Sequence, residues 1–190
     1  MIINKDNINW ENIQTGVDKY SWIMKFVESA KLNGIDLAKE IEFKKKFNGF
    51  YRIRQKSEKF YNFYYFLFNS KLKTYINFED ILEQLYQVDK KFESSFSSKL
   101  LHSVNPSLPI WDSIVLKKLQ LKIPYQKNLK KNEKKEMIVE LYRNISIFYE
   151  NFLKTKEGKD LLELFDSKIQ ERGYKISSIK KIDFIIWQTR

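Results

Sequence analysis

Four serines and a lysine crowd one short stretch, Ser94, Ser95, Ser97, Ser98 and Lys99, and an aspartate, Asp112, follows beyond Pro106 and Pro109. A helix that opens among small hydroxyl residues offers free backbone NH groups, the positive end of its dipole and hydroxyl donors. Together these make a site for an anion such as a phosphate. Lys99 is expected in the first turn of that helix, beside any phosphate held there. Asp112 stands just before Ile114, Val115 and Leu119, the natural N-cap position of a short helix. Lys117 and Lys118 fall in the same helix and add charge for a nucleic-acid backbone. Each residue also has a plain structural use: Asp112 as a cap, the lysines as solvated charge. His102, after Leu100 and Leu101, reads as a buried, hydrogen-bonded residue, and Trp111, next to Ile110, reads as packed.

Over residues 78–119 the chain resembles the helix-hairpin-helix superfamily of base-excision DNA glycosylases. That family opens a helix with a Leu-Pro-Gly-Val-Gly hairpin, carries a nucleophilic lysine a few residues on in its bifunctional members, and then a Pro-Val-Asp-Thr-His-like segment with the catalytic aspartate. Setting Ser95-Phe96-Ser97 on the Gly-Val-Gly places Lys99 on the nucleophile. Pro109-Ile110-Trp111-Asp112-Ser113 then places Asp112 on the aspartate. The hairpin glycines and proline are absent here, the lysine-to-aspartate spacing is shorter, and one extra residue separates Pro109 from Asp112. The resemblance implies DNA as partner and no cofactor. It also implies that Asp112 stabilises the sugar cation formed as a base leaves, while Lys99 attacks the sugar carbon and forms a Schiff base. Ser94–Val115 together with Lys180–Gln188 also looks like a group of uncharacterised bacterial proteins, which implies no reaction.

The elements that must position these residues read as helical almost throughout. Tyr20, Ile23, Met24, Val27 and Ala30 form one stripe, with Asp18 as the expected cap and Asn33-Gly34 as the expected end. Asp36 is expected to open a helix through Leu37, Ile41 and Phe43 to Asn48-Gly49. The ring-rich segment from Phe50 to Lys71 is expected to be deeply buried. Arg52, Arg54, Lys56 and Lys59 lie ahead of its rings, a mixture that can grip nucleic acid but more often belongs to a core. Asn77 caps a helix carrying Ile81, Leu82, Leu85 and Tyr86; a turn at 88–95 leads into a helix with Phe96, Leu100, Leu101 and Val104, which Pro106 stops. The basic run Lys127 to Lys135 precedes a long helix through Ile138, Leu141, Ile145, Phe148 and Phe152. Leu161–Ile169 and Ser178–Thr189 complete the set, with Gly173 in the turn between them, Trp187 read as core, and Lys180 and Lys181 read as surface lysines. The expectation is an all-α fold of eight or nine helices in one domain, with a helix-hairpin-helix-like element.

Lysine and arginine number 35 against 24 acidic residues, a formal charge of +11. A surplus of that size attracts polyanions by releasing their counterions, and DNA is the expected partner. The absence of cysteine excludes disulfides and thiolate metal sites. The single His102 cannot anchor a multi-histidine zinc site, so no structural zinc and no metal site is expected. The N-terminal Met1-Ile-Ile-Asn-Lys-Asp carries no apolar signal region and the run Phe63 to Phe68 is too short to span a bilayer, so the expectation is cytoplasmic with no membrane partner. Two other readings stand beside the glycosylase: a non-enzymatic nucleic-acid-binding or host-defence module on the same scaffold, and a helical interaction domain whose charge is compositional.

Overall fold

Asn9 starts the first helix: its side-chain oxygen accepts the Asn12 NH at 2.9 Å, and α1 runs from Trp10 to Asn33. The structure, a computed structural model, describes residues 5–72, 74–121 and 129–188. Among these the chain forms a 3-10 turn at Lys5–Asn7 and nine α-helices with no strand, the all-α class the periodicity predicts. They divide into two compact units. One takes Val17–Asn105 and Glu171–Lys175; the other takes the chain up to Gly16, Pro106–Gln170 and the chain from Ile176 on.

The first unit holds most of α1, with α2 (Ile41–Tyr51), α3 (Glu58–Lys71), α4 (Phe78–Asp89) and α5 (Ser94–Val104). The Tyr20, Ile23, Met24, Val27 and Ala30 stripe is buried as its spacing requires, and it extends back to Val17. Gly34, at φ 68°, ends α1 in the left-handed conformation while the Ile35 NH reaches back to the Ala30 carbonyl at 3.2 Å. Two expected helix starts are corrected. Asp18 lies inside α1, because Asn9 caps it earlier. Asp36 closes a local turn onto the Ala38 NH at 3.0 Å, and α2 begins only at Ile41. Gly49 lies within α2 rather than ending it; Arg52, at φ 53°, takes the left-handed cap.

Aromatic rings fill this core. Phe47 is fully buried and touches Phe43 (5.4 Å between centroids), Tyr51 (4.7 Å) and Phe68 (5.4 Å). Ser57 caps α3 by accepting the Phe60 NH, and Phe60, Tyr64, Tyr65, Leu67 and Phe68 are buried, whereas Phe66 is exposed. Burial of α3 is therefore one-sided, not all round. Asn77 caps α4 as expected, accepting the Asp80 NH at 2.8 Å. Lys90, at φ 54°, ends α4, and α5 packs back against α4 after a short connection in which Phe92 stacks on Tyr86 at 4.5 Å.

The second unit holds α6 (Ser113–Lys118), α7 (Lys131–Phe152), α8 (Lys156–Lys168) and α9 (Ser178–Gln188), with α9 packed on both α6 and α8. Part of the basic run, residues 127 and 128, and Thr189 at the expected end of the last helix lie outside the described residues. Within the run, the Glu133 carboxylate accepts the Lys130 NH at 2.6 Å and so fixes the start of α7. Ile138, Leu141, Ile145 and Phe152 are buried as expected, and Phe148 and Trp187 are half-buried. Thr155 caps α8 by accepting the Gly158 NH at 3.0 Å. The chain turns so tightly there that a Cβ at Gly158 would stand 2.1 Å from the Phe152 carbonyl oxygen. Among the described residues no helix is long and apolar enough to cross a membrane.

Candidate active site

Asp112 sits at the end of a segment that its own unit pins down at two carbonyls. The Ser177 hydroxyl, just ahead of α9, donates to the Pro106 carbonyl at 2.6 Å, and the Tyr142 hydroxyl, on α7, donates to the Pro109 carbonyl at 2.8 Å. Between and after these anchors Ile110 and Trp111 are buried. Asp112 is half-buried, and one of its carboxylate oxygens accepts the Ile114 NH at 2.8 Å, capping α6 as its sequence position predicts. The positive end of a helix favours the ionised carboxylate. Lys117, exposed, and Lys118, half-buried, occupy the last turn of α6.

Near Asp112 on the same unit lies a buried polar group that the sequence reading missed. Lys180 Nζ meets Asp183 Oδ2 at 2.5 Å, with both side chains about as buried as the core, 5% and 4% exposed. Lys180 also stands 4.8 Å over the Phe184 ring. It is thus an interior residue, not the surface lysine expected, because α9 turns that face inward with Ile182, Ile185 and Ile186. Its neighbour Lys181 pairs with Asp166 at 2.6 Å. The Tyr149 hydroxyl is completely buried and has no hydrogen-bond partner among the described residues. Burial, followed by the Asp183 and Asp112 carboxylates, pushes its phenol well above the ordinary value. Tyr149 thereby reports that the two carboxylates share one electrostatic neighbourhood.

On the other unit, α5 places its serines differently from the expectation. Ser94 and Ser95 are half-buried in its first turn, whereas Ser97 and Ser98 are fully buried, and the Ser98 hydroxyl donates to the Ser95 carbonyl at 3.0 Å. A fully buried hydroxyl cannot meet a backbone phosphate, so the expected grip reduces to Ser94 and Ser95. The residue before α5 is Glu93, a carboxylate, and together with Asp89 it holds Lys56, which lies 2.9 Å from Asp89. Burial depresses the Lys56 amine, but hydrogen bonds and charge from Glu93 and Asp89 outweigh it and raise it overall. Lys56 also lies over the Phe60 and Phe96 rings at 4.9 and 5.4 Å, so it fastens the fold rather than awaiting a phosphate.

Lys99 falls in the second turn of α5, not the first, since the helix already begins at Ser94. It is only 7% exposed, with its amine 5.4 Å from the Phe96 ring. His102 is fully buried and linked to the Tyr20 hydroxyl at 2.9 Å, in keeping with a structural role. Comparisons with protein-family models, with curated proteins and with solved structures match this chain to none of them.

Proposed function

We propose that the protein binds DNA and removes a base from it in the manner of base-excision glycosylases, with Asp112 and Lys99 as its catalytic pair. The observation that carries this reading is the burial of Lys99. Lysine is among the residues least often withdrawn from water, and an amine held away from solvent is the usual starting point for a Schiff-base nucleophile. Asp112 adds a carboxylate on a doubly anchored segment, its charge supported by a helix start, suited to face a developing sugar cation. In this mechanism the bond from sugar to base breaks with its electron pair leaving on the base, and Asp112 stabilises the cation. The Lys99 nitrogen then bonds to the sugar carbon and gives up a proton as the ring opens to the imine.

The charge of +11 supplies the attraction to the DNA backbone, which on this reading is met by Lys117, Lys118 and the half-buried Ser94 and Ser95. Binding to an undamaged duplex is expected to weaken steeply with salt, and base release from a lesion-bearing duplex is expected to vanish in Asp112→Asn while binding survives. Loss of binding and release together would favour misfolding. Salt-dependent binding with no release from any substrate would instead favour the non-enzymatic nucleic-acid-binding module, which needs only the surface charge. Absence of binding at low salt would leave the helical interaction domain.

A further inference from the structure

We propose that Tyr149 belongs to the ligand-binding centre around Asp112, and that this centre takes the sugar of the ligand rather than a phosphate, the Tyr149 hydroxyl donating a hydrogen bond to a sugar oxygen. The inference deepens the glycosylase reading and rests on it for the identity of the ligand, but its geometry is independent of α5. A buried phenol with no partner among the described residues is costly to keep, so a side chain of phenylalanine shape without the hydroxyl would serve packing better. Its surroundings state the chemistry it suits. Asp183 and Asp112 contribute two negative charges and Lys180 one positive charge, so the centre carries a net negative charge within a strongly basic protein. Such a centre repels phosphate and attracts a ring that carries oxygen beside a positive charge, the character of a furanosyl ring losing its base.

The full-length chain is tested with three probes: an undamaged duplex, a duplex carrying a cationic pyrrolidine in place of one nucleoside, and the free pyrrolidine iminosugar. Tyr149→Phe is expected to bind the pyrrolidine duplex and the free iminosugar about tenfold more weakly than wild type, the loss of one hydrogen bond in a charged site. It should bind the undamaged duplex unchanged and unfold at the same temperature or higher. A structural role alone would reverse the last outcome by lowering stability, and equal pyrrolidine binding by the variant and wild type would overturn the proposal. Tyr149→Trp, which fills the space without a hydroxyl at that position, should fail to bind the iminosugar, whereas a variant that retains tight binding would count against the hydrogen bond. Should no duplex bind to wild type while the iminosugar binds through Tyr149, the DNA reading fails and the sugar site stands. Should wild type bind neither pyrrolidine probe, the sugar site fails whatever the undamaged duplex does.

Discussion

Asp112 carries two duties that substitutions can separate. Asparagine caps a helix about as well as aspartate, so Asp112→Asn should leave unfolding free energy within a few tenths of a kcal/mol while removing the charge that faces the sugar. Asp112→Ala loses both, and is expected to cost about 1 kcal/mol of stability in addition. Urea unfolding of the two variants beside base-release assays checks this; equal activity in Asp112→Asn and wild type would reduce the residue to a cap. Asp112 was legible because a cap announces itself by its position ahead of an apolar run. Tyr142 and Ser177 were not, since each bonds to a proline carbonyl far away in sequence. Tyr149 was hidden for a different reason: it sits on the apolar stripe of α7 beside Ile145 and Phe152, where only three-dimensional surroundings distinguish a polar tip from a core ring.

At the scale of elements, α8 depends on a close approach that admits no side chain. Gly158→Ala would drive a methyl into the Phe152 carbonyl oxygen, 2.1 Å away, and the cap from Thr155 could not keep its geometry. A loss of about 1–3 kcal/mol is expected, the range for forced overpacking, measured by chemical denaturation. A variant as stable as wild type would show that the turn relaxes freely. The helices themselves were readable wherever local periodicity and local caps agreed, as at Asn77 and along the Tyr20 to Ala30 stripe. Asp18 and Asp36 misled because an aspartate ahead of apolar residues serves equally well inside an exposed helix face or in a two-residue turn. The serine-rich start of α5 misled similarly: composition suggested an open anion site, but packing buries Ser97 and Ser98, and Glu93 stands at the helix entrance.

Across the whole molecule, rings and charge set the response to solvent. Burial raises the phenols of Tyr64, Tyr65, Tyr142 and Tyr149, and burial with the nearby Glu28 charge pushes Tyr174 up to about 12. A group raised in the fold contributes stability that is complete below its unfolded value and is lost as pH rises through its folded value; for tyrosine that loss begins near pH ~10. Lys56, also raised, acts in the same direction. Helical signal and phenolate absorbance are therefore expected to change together, cooperatively, above that pH. Gradual ionisation at ordinary values with the helices intact would contradict it. The basic surface was legible from composition alone, whereas the interior Lys180–Asp183 pair was not, because a lysine's burial depends on which face of α9 turns inward. The most direct test of the whole account is borohydride trapping on lesion-bearing and abasic duplexes, followed by peptide mapping of the adduct. The account predicts a single covalent adduct on Lys99 that is lost in Lys99→Ala. An adduct on another lysine, or trapping undiminished in that variant, would contradict it.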